Sequence, residues 1–345
     1  MWPWLMTACI YPCIVGPDFW GLVHKEWKMC TAGQLQSPIN IEPDKLLFDP
    51  HLDNIKLDDV QIEASFENIG QLPIVTLNET KQTINITGGP AFPYNYRLNQ
   101  IIVHYGKDSN EKGSEHTVNR ERFPAEVQFL AYNSDLYVNF TQAMTQPKGL
   151  LAIAIMVDIG STTEVELRRL TVASQSITYK GQTTILRRLH PYALLPKTSH
   201  YVTYEGSLTF PGCHETVTWI IMNNPIYITK EDLSIWNELQ KAESKQSQPV
   251  YMTPTYRPLR NGHGRTVRTN INIAFKPQSS STCVSNRYTD LGYRANPHRS
   301  TNSQHNHSLY KRNLLQQEND FKESNNNIEL YEEDFLNSPH LEHSL

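Results

Sequence analysis

Between about residue 60 and residue 275 the chain alternates short apolar runs with Gly, Pro and Asn turns, the pattern of a mainly β protein. QIIVHYG at 100–106 and AEVQFLAYN at 125–133 read as strands. Side chains alternate across a strand, so Ile102 and His104 share one face of the first. Glu126, Gln128 and Leu130 share a face of the second, while Val127 and Phe129 point the other way. Laid side by side, these strands bring Ile102, His104 and Gln128 to one spot. LLAIAIMVD, from Leu150 to Asp158, is a continuous apolar run whose length suits a strand buried on both faces. Residues 74–89, IVTLNETKQTINITGG, read as a hairpin with its turn near Asn78–Lys81.

Further along, residues 162–172 carry charged and polar positions and predict a connection or a short helix. Residues 176–196, SITYKGQTTILRRLHPYALLP, predict two short strands and a Pro-ended turn. Thr229–Ser244 predicts one amphipathic helix, with Leu233, Trp236, Leu239 and Gln240 at helical spacing. Thr229 can cap its start, and Glu231 and Asp232 suit its dipole. After Phe275 apolar residues become sparse and Ser, Asn, Gln, His and charge dominate, so 276–345 reads as a disordered polar tail.

Composition narrows the class. A chain of 345 residues, 39% hydrophobic, can bury one large core or two ordinary ones. A net charge of −4 leaves no electrostatic footprint for nucleic acid. No apolar run is long enough to predict a transmembrane helix. The five cysteines, Cys9, Cys13, Cys30, Cys213 and Cys283, include no CxxC pair, which argues against a cysteine metal site. Glycosylation sequons stand at Asn78, Asn85, Asn139 and Asn306, a modest pointer to secretion. Residues 1–16 are apolar but lack a basic flank and a clear cleavage site, so they read as an alternative start or a weak signal-like segment.

Several stretches carry a family resemblance. Gln36-Ser37-Pro38-Ile39-Asn40-Ile41, preceded by aromatic residues, is similar to the amino-terminal signature of the α-carbonic anhydrases. GSEHTV at 113–118, GSLT at 206–209 followed by Pro211, and the Arg257, Pro258, Asn261 and Arg265 positions match other family segments. The resemblance covers residues 17–275 and implies a single α+β domain of few short helices, built on a large, twisted, mostly antiparallel central sheet.

That family holds catalytic zinc with three histidines, two in a His-x-His pair and one on the neighbouring strand. This chain matches those positions with Ile102, His104 and Gln128, so one ligand of three remains. Ile has no lone pair to give, and an amide oxygen is a poor zinc ligand beside imidazole. The proton-shuttle position is Gln71, which cannot titrate near neutral pH. Glu115 and Thr209 match the pair that orients the metal hydroxide, and the resemblance implies that this pair persists. Phe210 follows where active members carry a small hydroxyl residue. Glu126 matches the carboxylate behind the third ligand, here facing the Gln128 amide, and His116 a structural histidine.

Secreted and membrane-bound members carry a cysteine at the place of Cys213, with its partner at the place of Cys30. The resemblance therefore implies a Cys30–Cys213 disulfide closing about 180 residues, with a loop-entropy contribution of about 5 kcal/mol as an upper figure.

Within the family the likeness is greatest to the non-catalytic carbonic anhydrase-related proteins ten and eleven of vertebrates. It implies a secreted glycoprotein of nervous tissue without zinc or carbonic anhydrase activity. It also implies a protein partner such as a neurexin-type cell-surface receptor. Cys283 is a candidate for an intermolecular disulfide. The alternatives are a weak residual hydratase or esterase using His104, Glu115 and Thr209, or a small-ligand pocket in the vacated cone.

Overall fold

The computed structural model describes residues 16–108, 111–245, 248–262 and 264–272. The first segment, the tail, Cys283 and Asn306 lie outside the described residues. One large sheet dominates, mostly β by content and antiparallel across most of its width. From edge to edge its strands are Thr183–Leu189, Ile62–Asn68, Pro73–Leu77, Tyr96–Tyr105, Ala125–Asn133, Leu150–Ile159, Val217–Met222, Tyr201–Gly206, Arg268–Thr269 and Leu47–Phe48. Leu150–Ile159 runs parallel to Val217–Met222, which makes the sheet mixed.

Alternation builds two cores from the same strands. Ile101, Val103 and Tyr105 face one way and join Val127, Phe129, Ile153 and Ile155 in the larger cluster. Ile102, Leu130, Ala152, Ala154 and Met156 face the other way, with Leu208, Phe210 and Trp219 above them. Two apolar faces explain why the central strands read as near-continuous apolar runs. Strand Leu150–Ile159 is fully buried from Leu150 to Val157, as its sequence predicts.

Three local expectations change. The stretch at 74–89 is not a hairpin: Pro73–Leu77 pairs with Ile62–Asn68 and with Gln100–Ile102. Asn85–Gly88 pairs instead with Ile55–Leu57 and with Tyr96–Arg97. The long Tyr96–Tyr105 strand offers room for both, and residues 78–84 are too many for a tight turn. Residues 176–196 supply one strand, not two, because Ile177 and Thr178 are held by their carbonyls to the Asn68 amide at 3.0 and 3.1 Å. A helix does occupy Val165–Ser174. The capped helix at Thr229 ends at Trp236, and Leu239 reaches the core from outside it. The carboxy-terminal segment pairs only through Arg268–Thr269; Arg257 serves otherwise.

Cys30 and Cys213 are joined, 183 residues apart in sequence. The bond sits in a buried polar brace. Gln36 Nε2 donates to the Cys213 carbonyl at 3.0 Å. Arg257 Nη2 donates to the Cys30 carbonyl at 3.1 Å and to Gln36 Oε1 at 2.9 Å. Its other nitrogen, Nη1, donates to the Ser37 carbonyl at 2.7 Å. Replacing both cysteines with serine is expected to lower the unfolding free energy by about 2–5 kcal/mol. A shift of the urea midpoint to lower concentration at unchanged slope reads this out; an unmoved midpoint contradicts it.

Candidate functional site

The site grows from the pairing of two strands. In their register Gln128 stands opposite Ile102, and Glu126 opposite His104. Side chains at these positions share the face of the smaller core, and all four are at most 2% exposed. The expected convergence of Ile102, His104 and Gln128 is present in this register.

His104 is oriented from behind. Its Nδ1 lies 2.5 Å from the Thr255 carbonyl, an acceptor, so Nδ1 carries the hydrogen. Nε2 then points into the site, 3.5 Å from Glu115 Oε2, without a hydrogen-bond partner. Gln128 is oriented by carboxylates. Its Nε2 donates to Glu115 Oε2 at 2.9 Å and to Glu126 Oε1 at 2.8 Å. An amide oxygen would be repelled there, so the nitrogen faces inward and Oε1 is left buried and unpartnered.

Glu115 is held at its other oxygen by the Arg257 backbone N–H at 3.1 Å. The Thr209 hydroxyl is buried and without a hydrogen-bond partner, so the expected Glu115–Thr209 pair is absent among the described residues. Phe210 is buried beside Thr209 at 8% exposure and packs in the smaller core. Gln71 is exposed in the turn after Gly70, whose φ of 84° suits a residue without Cβ.

Glu126 anchors a second network. His116 donates to it twice, from its backbone N–H and from Nδ1, both at 2.8 Å. His116 Nε2 meets the Tyr204 hydroxyl at 2.7 Å, and that hydroxyl meets Ser37 Oγ at 2.9 Å. Burial pushes the Tyr204 phenol well above its ordinary range, so the hydroxyl keeps its proton. At Glu126 burial pushes the carboxyl up, but the His116 imidazole, by charge and then by hydrogen bond, outweighs it. With His104 and the Gln128 amide adding to this, Glu126 is held down at about 2. Burial also lowers Arg257, with Arg260 adding to it, to about 10, which leaves it charged.

The donor set does not fit zinc. Ile102 offers no lone pair, and the Gln128 amide is committed to two carboxylates. Among the described residues no three His, Cys, Asp or Glu side chains are arranged to hold a metal.

The chain matches the eukaryotic-type carbonic anhydrase family over residues 15–271. It belongs to the carbonic anhydrase family. Carbonic anhydrase-like protein 2 of Caenorhabditis elegans is 67% identical over 303 residues, covering 87% of this chain and 90% of that protein. Carbonic anhydrase-like protein 1 of the same organism is 39% identical over 321 residues, covering 74% and 87%. Set in the carbonic anhydrase fold, the sequence-predicted residues Ile102, His104, Glu115 and Gln128 are brought together, and Thr209 is not bonded to them. Thr255 escaped the sequence, because a backbone carbonyl has no side-chain signature. Arg257 was visible only as part of a motif, without its role.

Glu126→Gln is expected to destabilise by about 1–3 kcal/mol, the range for leaving buried donors such as those of His116 without a matched acceptor. A depressed carboxyl adds stability that is full above its ordinary value of 4.5 and is lost as pH falls toward about 2. Urea midpoints measured across that window should fall for the parent and fall less for the variant. Parallel curves would show that Glu126 is not held as described.

Proposed function

We propose that this chain is a non-catalytic member of the carbonic anhydrase family that uses the fold as a binding scaffold outside the cell. One observation carries the reading: the amide at the third ligand position is turned to Glu115 and Glu126, not to a metal. The reaction depends on a metal that brings bound water near a neutral pKa. Ile102 and Gln128 cannot hold that metal with His104, and Thr209 has lost its carboxylate partner. A residual hydratase or esterase would need His104, Glu115 and Thr209 to act together, and Glu115 is already engaged by Gln128 and Arg257.

Secretion is supported by the Cys30–Cys213 bond and by the sequons. Disulfides of this kind persist in oxidising compartments. Asn78 and Asn85 lie half-exposed at the ends of strands, and Asn139 is exposed at a helix cap. The partner proposed is a protein of the neurexin-type cell-surface class, a reading that rests on resemblance. Capture of such an ectodomain by the purified chain, with and without reductant, tests it and tests Cys283 as an intermolecular link.

The purified full chain is expected to hold no zinc by elemental analysis and to leave CO₂ hydration at the buffer rate. Ile102→His combined with Gln128→His is expected to bind close to one zinc per chain. A parent that holds zinc and hydrates CO₂ overturns the proposal.

A further inference from the structure

One edge of the large sheet carries an unneutralised arginine cluster. The edge strand Thr183–Leu189 and the helix Val165–Ser174 each contain the same four residues, Leu-Arg-Arg-Leu, at 186–189 and 167–170. In both the leucines are buried: Leu167, Leu170 and Leu189 fully, and Leu186 to 7% exposure. The arginines are left outside.

Arg169 ties the two copies together. Its Nη2 donates to the Arg187 carbonyl at 2.8 Å and its Nη1 to the Arg188 carbonyl at 3.0 Å, while Glu166 pairs with it at 2.7 Å. The strand pairing slips between Leu186 and Leu189, and Arg188 takes a left-handed φ of 59°. This bulge turns the edge away from regular pairing. Arg168, Arg187 and Arg188 are exposed, and among the described residues no carboxylate pairs with any of them. Arg188 only rests its Nε on Gln61 Oε1, at 2.8 Å.

We infer that this edge is a binding surface for a sulfated polysaccharide. Guanidinium forks match the oxygens of sulfate and carboxylate groups, and three exposed arginines without a carboxylate partner stand on two elements that Arg169 joins. An added peptide strand fits this edge poorly. The carbonyls of Arg187 and Arg188 are already taken by Arg169, and the bulge breaks the ladder that such a strand would need. Recognition must therefore run through side-chain charge. Two strands, Ile62–Asn68 and Pro73–Leu77, separate this edge from the strand of His104, so the face needs nothing from the vacated metal position. A sulfated polysaccharide is an extracellular ligand, so the inference rests on the extracellular reading for its biology, though not for its measurement.

The test uses the full chain on immobilised heparin and, in solution, a defined heparin oligosaccharide. The parent should be retained at about 0.15 M salt, where surface charge is already screened beyond 8 Å. Arg168→Ala with Arg187→Ala removes two exposed side chains that make no hydrogen bond or ion pair among the described residues, and Arg188→Asn can be added because Asn tolerates a left-handed backbone. The triple variant should bind at least tenfold more weakly. Its plot of log affinity against log salt should flatten by about 0.7–0.9 for each arginine removed, the per-charge figure known for nucleic acids. Lys25→Ala with Lys28→Ala, an exposed pair elsewhere, should leave binding unchanged. Equal loss from the lysine pair, no retention of the parent, or equal binding to polyglutamate each overturns the inference. Unaltered thermal unfolding of the variants shows that folding is not the cause. A chain found inside the cell would defeat secretion and leave this measurement intact.

Discussion

Two buried carboxylates and a single amide group set the chemistry of this molecule. Glu115 and Glu126 are both within 1% of complete burial, and Gln128 Nε2 donates to one oxygen of each. Burying a carboxylate without partners is costly, so whatever stands at residue 128 must bring hydrogens. An imidazole could donate once and offer a lone pair to a metal. The amide donates twice and has only a weakly basic oxygen left. The Gln128 side chain thus satisfies the acidic wall and brings no imidazole lone pair to that position.

The scaffold around that wall is tied to it, through His116 on Glu126 and the Arg257 backbone N–H on Glu115. His116, Tyr204 and Ser37 continue from Glu126 toward the amino-terminal segment, where Ser207 Oγ accepts from the Ser37 backbone N–H at 2.9 Å. Arg257 then reaches Ser37, Gln36 and Cys30. Trp219 lies edge-on to His116 at 4.7 Å and donates to the Ser207 carbonyl at 3.0 Å. None of these contacts requires a metal.

Much of this was legible from residue types alone. The alternation at 100–106 puts Ile102 and His104 on one face of their strand, and the pairing with 125–133 brings Gln128 opposite Ile102. The Cys30–Cys213 bond could be taken only from the family's pattern, since sequence alone does not give cysteine connectivity. The pairing of 74–89 was misread because apolar alternation shows that strands exist, not which neighbours they choose. The Glu115–Thr209 bond was misread for a different reason. Both residues match the family, but their contact depends on a third, Gln128, whose donors changed the partner of the acid.

The order of the sheet sets a condition on how the chain can assemble. Leu150–Ile159 has Val217–Met222 as a parallel neighbour, and Ile62–Asn68 waits for Thr183–Leu189. Neither closure is local, and such long-range pairing is slow because loop entropy is lost before contacts form. A ribosome that has delivered only the first two hundred residues has made most of the central strands but not the one that completes their apolar face. Until Met222 has been made, Ala152 and Ala154 lack the strand that pairs beside them, and an unpaired apolar strand edge is the kind that associates between chains.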